Sequence, residues 1–211
     1  MIRRIQLAPL VLALGLISGG AHAALQGRDL NGSPGSFEAY YDTDLNITWL
    51  ANADANGLMS WGAANTWAAN LSFTDGVNVY NNWRLPTALN QDGTGPCGGL
   101  NCTGSEMGHL FYSELGGTAG QSILTSSDSD LAKFTNLQTN YYWSATEYAP
   151  DTGLAWTFRF GLGDQGGATK YILFDALAVS PGDVGAVPEA QTYALMLAGL
   201  GLIGWRARRR G

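Results

Sequence analysis

Histidine, cysteine and basic residues are scarce in this 211-residue chain, and each scarcity removes a class of function. The only histidines are His22 and His109, the first of them inside the N-terminal 23 residues. A serine hydrolase would have little to work with, and no Gly-x-Ser-x-Gly elbow is present. The only cysteines are Cys97 and Cys102, separated by Gly98-Gly99-Leu100-Asn101. In an exported chain so close a pair reads as a local disulfide, contributing on the order of 2 kcal/mol by chain entropy because the loop is short. Two rival readings stay open. A Cys97–Cys102–His109 zinc site lacks a fourth ligand of the usual kind, and a Cys/His nucleophile needs a free thiol in an oxidising compartment. Between residues 24 and 187 the only basic residues are Arg28, Arg84, Lys133, Arg159 and Lys170, five against sixteen acidic ones, a net charge of −11. Such a surface repels phosphate and sulfate polymers, which makes nucleic acid a poor partner and favours solubility outside the cell.

The missing basic residues are at the two ends. Arg3 and Arg4, the apolar stretch Leu7 to Ile17 and the small-x-small triplet Ala21-His22-Ala23 make residues 1–23 a secretory signal peptide. Signal peptidase would cut after Ala23, so the mature chain begins at Ala24. At the other end Val187-Pro188-Glu189-Ala190 is followed by an apolar run from Thr192 to Trp205 and then by Arg206, Arg208, Arg209 and Arg210. As a helix that run would reach only about 21 Å, short of the roughly 30 Å core of a bilayer. The arginines would hold the terminus on the cytoplasmic side, which suits a tail inserted transiently in the inner membrane and then cut. Residues 187–211 resemble the PEP-CTERM sorting tail, whose reader is the membrane transpeptidase-like enzyme exosortase. The family signature is Pro-Glu-Pro, and Ala190 stands where its second proline belongs. The resemblance implies an outer-surface or extracellular location after processing; a weak C-terminal anchor is the alternative.

The residues between the ends alternate short strands with two helices. Residues 24–36 are rich in Gly, Ser and Asn and read as a flexible lead-in. Phe37–Tyr41 and Ile47–Leu50 are strand candidates around a turn at Asp42–Asn46. Met59 to Leu71 reads as a helix, with Ser60 as N-cap and Trp61, Ala64, Ala68 and Leu71 on one face, Trp67 beside them. Val77–Leu85 is extended and stops at Pro86. Past the Gly-rich insert, Gly104–Leu115 is a second helix, with Thr103 and Glu106 at capping-box spacing and Met107, Leu110, Phe111 and Leu115 as its apolar stripe. Leu154–Phe160 and Thr169–Phe174 read as a hairpin, with Leu154, Trp156, Phe158 and Phe160 on one face, and Ala176–Val179 as a last strand. Helices early and strands late give an α+β fold with a small antiparallel sheet.

Five segments carry a second resemblance: Met59-Ser60-Trp61 with Ala64 and Trp67-Ala68, Asn82-Trp83-Arg84-Leu85-Pro86-Thr87, Tyr142-Trp143-Ser144-Ala145-Thr146-Glu147, Ala155-Trp156-Thr157-Phe158, and Ala178-Val179-Ser180-Pro181-Gly182. In this order they resemble the domain family named after the C-terminal domain of the Legionella collagen-like adhesin, over residues 37–184. That family is similar to C-type-lectin-like and formylglycine-generating-enzyme-like folds, which implies a single such domain. It carries Arg where Ser180 stands. The resemblance also implies carbohydrate binding, but the acidic surface argues for a neutral glycan rather than the sulfated polysaccharide the name member binds. Trp61, Trp83, Arg84, Leu85, Pro86, Trp143, Ser144, Thr146, Glu147 and Trp156 are expected as structural motif residues, the tryptophans more as core than as ligand platform.

Metal and catalysis are weaker themes. Asp42-x-Asp44-x-Asn46 and Asn52-x-Asp54-x-Asn56-Gly57 begin like calcium loops, but Ala53 and Ala63 stand where a bidentate glutamate belongs, so both read as Asx turns. The formylglycine-generating chemistry uses a late cysteine pair, and Tyr171–Val184 has none. No metal site, cofactor or catalytic residue is expected. The reading is an exported, exosortase-sorted, non-enzymatic surface or biofilm-matrix protein in contact with extracellular polysaccharide. A membrane-anchored lectin binding sugar or calcium is the alternative, and an enzyme of the similar fold the third.

Overall fold

The computed structural model describes residues 25–33 and 35–185. The cleavage position at Ala23 and Ala24 and the tail from Val187 onward, including its expected apolar helix, lie outside the described residues. Among the described residues no helix is long and apolar enough to cross a membrane.

The fold is α+β. In chain order the elements are β1 (Gln26–Arg28), β2 (Ala39–Asp42), β3 (Ile47–Leu50), α1 (Trp61–Ala69), β4 (Phe73–Thr74), β5 (Val79–Tyr80), β6 (Gly99–Leu100), α2 (Glu106–His109), β7 (Tyr141–Glu147), β8 (Leu154–Arg159), β9 (Asp164–Thr169) and β10 (Val179–Pro181). They form not one small sheet but two four-stranded antiparallel sheets, ordered β1-β2-β3-β10 and β6-β9-β8-β7, and a β4-β5 ribbon. Backbone bridges from Arg84 to Val179 and from Tyr142 to Asp175 tie the connecting segments to them. A single contiguous core joins Trp49, Leu85, Phe111, Tyr142, Trp143, Phe158 and Phe160, all essentially inaccessible. Phe111, Tyr142, Phe158 and Phe160 meet edge-on or tilted at 5.1–6.0 Å, the arrangement the ring quadrupole favours.

Several boundaries differ from the sequence reading for physical reasons. The supposed lead-in contains β1, which pairs with β2 in register from Gln26 and Tyr41 to Arg28 and Ala39, and it contributes buried Leu25 and Leu30. The second strand of the late hairpin is Asp164–Thr169, earlier than expected, because the turn closes within Phe160–Gly163 with Gly163 at φ +71°. A strand of such polar and glycine-rich composition holds because Gln165 is buried and donates to the carbonyls of Ala88 and Cys97. Strand β8 is covered on both sides, so Ala155 and Thr157 are buried as well as Phe158, and Thr157 Oγ1 is satisfied by the Gly166 carbonyl at 3.0 Å. The last strand begins only at Val179, with Ala176–Ala178 packed into the core ahead of it.

The second helix also ends differently. Its cap is Ser105, whose hydroxyl accepts from the Gly108 amide at 3.1 Å, while Glu106 turns away to Arg84 instead of completing a capping box with Thr103. Gly108 is required here because a β-carbon would meet the Cys102 carbonyl oxygen. After His109 the backbone continues as one π-turn over Leu110–Glu114, closed by the Leu115 amide on the Leu110 carbonyl. The helix lies against the insert carrying the Cys97–Cys102 disulfide, with Gly108 on the Cys102 carbonyl and the Tyr112 hydroxyl accepting the Asn101 amide.

Candidate functional site

The motif residues come together as an internal frame. Trp143 on β7 is fully buried and donates its indole N–H to the Met59 carbonyl at 2.8 Å. Trp61, at the start of α1, donates to the Ser144 carbonyl at 2.8 Å, and Lys170 caps its ring face at 4.1 Å while pairing with Glu147. Trp83 is buried, donates to the Tyr80 carbonyl and packs edge-on against Phe73. Arg84 forks onto Glu106 at 2.8 and 2.6 Å, and the same carboxylate accepts the Thr87 amide at 2.7 Å. That hydrogen bonding holds the Arg84 guanidinium above its ordinary pKa. Leu85 is buried, the Pro86 carbonyl accepts from the Ala145 amide, and Thr146 Oγ1 accepts from the Ala88 amide. Ser144 is buried with its hydroxyl on the Thr146 amide. Trp156 is half-buried against Tyr148, with Gly98 of the disulfide loop beside it. The polar groups named here are engaged within the chain, and they form no nucleophile–base–acid arrangement.

The open aromatic surface lies elsewhere. A groove of about 490 Å³ runs between β2, α1, β4 and residues 132–135, lined by Phe37, Tyr40, Leu50, Trp67, Leu71, Phe73 and Lys133, with Glu38, Asn52 and Thr135 as polar partners. The β2 backbone sets Tyr40 opposite Trp49 on β3, and the ring stands 6.1 Å from Phe37 and 6.0 Å from Phe134. Helix α1 buries Ala64 and Ala68 and so presents Trp67 on its flank, half-buried at the groove. Lys133 is fixed by the Leu25 carbonyl at 2.8 Å and Asp130 at 2.7 Å, and its ammonium lies 5.9 Å from the Tyr40 ring centre. Burial, helped by the charge of Asp130, pushes the Tyr40 phenol above its ordinary pKa, so the hydroxyl is a neutral donor and acceptor at physiological pH. Aromatic faces bordered by an amide, a carboxylate, a hydroxyl and a fixed ammonium suit a flat, hydroxyl-rich ligand. A second depression, about 470 Å³ at Asn90–Asp92 and the disulfide loop, is polar, and its Asp92 carboxylate is held in a turn by Thr94.

None of Phe37, Tyr40, Phe73 and Lys133 stands out as a site residue in the sequence, because they come from three separate segments. The one available signal is Trp67, which falls beside the apolar stripe of its helix rather than on it.

The tail supplies a different kind of information. The PEP-CTERM protein-sorting motif matches residues 186–210. No curated protein matches the chain. The match spans Val187, Pro188, Glu189 and Ala190 as well as Arg208, Arg209 and Arg210. It therefore implies export with a transient membrane stage, and it supports an exosortase-sorted protein.

Proposed function

We propose that the mature chain is a non-enzymatic surface or matrix protein whose aromatic groove holds a neutral segment of extracellular polysaccharide. The observation that carries this reading is the groove of Phe37, Tyr40, Trp67 and Phe73, with Lys133 fixed at its edge. The domain's deficit of basic residues supports a neutral glycan over a sulfated one. Assignment of residues 37–184 to the adhesin-domain family, with its C-type-lectin-like fold, belongs to the same proposal and rests on the order of the motif segments. So does removal of residues 1–23 by signal peptidase. Against an enzyme stands the internal engagement of the motif's polar groups.

Affinity electrophoresis of the mature protein through gels containing the host's own exopolysaccharide tests the reading, with heparin as the sulfated control. The wild type is retarded by the exopolysaccharide and not by heparin. Trp67→Ala removes one stacking face and weakens binding about tenfold, the equivalent of about 1.4 kcal/mol. Retardation by heparin alone, or retardation unchanged by Trp67→Ala and Tyr40→Ala together, overturns the groove. A membrane-held lectin is the second reading, and Ala190 in place of the signature proline is the observation that favours it.

A further inference from the structure

We infer that Asp42, His109 and Glu114 form a binding site for one divalent transition-metal ion of the zinc class. The site is independent of the glycan groove and of the motif frame.

The three side chains converge from two elements. His109 Nε2 stands 3.1 Å from Glu114 Oε1 and 3.9 Å from Asp42 Oδ2, and one ligand atom from each residue falls within 4.8 Å of the others. Tetrahedral nitrogen and oxygen ligands of zinc, at about 2.0–2.2 Å from the ion, lie about 3.3 Å from one another. The spacing is thus near that of a coordination shell. The π-turn creates it. On a regular α-helix residues five apart point about 140° away from each other, whereas the wider turn over Leu110–Glu114 brings Glu114 back over His109. Single π-turns of this kind recur at functional sites.

Among the described residues no lysine or arginine offers the cluster a counter-charge. The side chains of Asp42, His109 and Glu114 are 0%, 11% and 1% exposed. Each lysine and arginine of the domain is paired with another acid: Arg28 with Asp183, Arg84 with Glu106, Lys133 with Asp130, Arg159 with Asp164 and Lys170 with Glu147. Two buried carboxylates without a cation are costly. Glu114 Oε2 is buried and has no hydrogen-bond partner among the described residues, a free acceptor on the carboxylate that already touches the imidazole. Asp42 is held in place by its other contacts: Oδ1 accepts the Asp44 and Leu45 amides, and Oδ2 accepts the Trp49 indole N–H at 3.2 Å. Outer hydrogen bonds of this kind orient metal-binding carboxylates. One imidazole nitrogen among two carboxylates selects a first-row transition ion over calcium or magnesium, which prefer oxygen alone.

The competing occupant is a proton on His109. Burial disfavours a charged imidazole, but the hydrogen bond it donates to Glu114 and the fields of Asp42, Glu114 and Asp44 outweigh it and raise its pKa. The experiment separates the two. Mature protein stripped with a chelator is titrated with Zn²⁺ and, separately, Ca²⁺ by calorimetry, with thermal unfolding recorded before and after. One Zn²⁺ binds per chain, raises the unfolding temperature, and outcompetes Ca²⁺ by about 100-fold or more. Glu114→Gln, which keeps the shape of the side chain, and His109→Asn each weaken Zn²⁺ binding by more than about 100-fold, beyond the effect of losing an outer-shell partner. Asp92→Asn, on an exposed turn, leaves it unchanged and controls for the acidic surface. Stoichiometric zinc absent from the wild type, with no shift in unfolding, overturns the proposal and leaves a protonated His109 held by two carboxylates. Calcium binding as tight as zinc, or zinc binding unchanged in Glu114→Gln, overturns it equally.

Discussion

Trp143 and Trp67 are the same residue type in opposite circumstances. Trp143 is enclosed on β7, with its N–H on the Met59 carbonyl and its ring tilted against Phe174 at 4.9 Å. Trp67 stands half-buried on the flank of α1, with its ring on the groove wall. Trp143 lies in the motif segment Tyr142–Glu147, and Trp67 falls beside the apolar stripe of its helix. Their difference teaches that a motif tryptophan here can belong to the frame or to the groove, and that Phe37, Tyr40, Phe73 and Lys133, which join Trp67 there, come from outside the five motif segments. The polar residues divide the same way. Glu106 at the start of the second helix has both oxygens filled by Arg84 and the Thr87 amide, while Glu114 at its end has one oxygen bare. A satisfied buried acid is structural; an unsatisfied one calls for a partner.

The contrast can be broken from the frame side first. Trp143→Ala leaves a large cavity and removes one of the two donors to the Met59 carbonyl, which keeps the Phe174 amide, and it costs about 3–5 kcal/mol. Thermal unfolding checks this, with a fall in midpoint of about 10 °C or more expected for a domain of this size. A fall under about 3 °C would mean that the frame is not where the stability lies.

A pH scan sharpens the same contrast. Burial, with the nearby charge of Asp54, pushes Asp175 up to about 6 from its ordinary 3.8. The folded chain therefore keeps a proton that the unfolded chain has released. The contribution of Asp175 to stability is greatest below its ordinary value, falls as pH rises toward about 6, and is level above it, a change on the order of 2 kcal/mol. Asp175 touches the frame directly, since its carbonyl accepts the Trp143 amide at 3.0 Å. Asp175→Asn flattens this slope in denaturant melts at pH 4 and pH 7 and raises stability at the higher pH. The smallest effect on stability is expected at the groove, where Trp67→Ala costs about 1 kcal/mol or less, as partly exposed positions do, while still removing the stacking face. Chemical denaturation of that variant beside its gel retardation separates folding from binding.

Much of the architecture was legible in the sequence. The turn at Asp42–Asn46 is encoded by its Asx chemistry, and Asp42 Oδ1 does accept the amides two and three residues on. Helix α1 follows from the spacing of Ala64 and Ala68, both buried. The disulfide follows from two cysteines in an exported chain. What was not legible has a common cause in long-range pairing. Strand β1 looks like a linker because its partners, Ala39–Tyr41, supply the reason for its order. Strand β9 looks like a loop because glycine and glutamine become a strand only where β8 and the disulfide insert meet them. The meeting of Asp42, His109 and Glu114 was hidden because helical periodicity assumes 3.6 residues per turn, and the π-turn departs from it.

The sorting motif at residues 186–210 makes the most direct test one of covalent fate. Intact-mass spectrometry on protein recovered separately from membranes and from the extracellular fraction of the native host reads both ends at once. The account predicts an extracellular species that begins at Ala24 and ends near Pro188 and Glu189, without Arg208, Arg209 and Arg210. A membrane species that retains those arginines, with nothing outside, would contradict it and leave Ala190 as a signal lost.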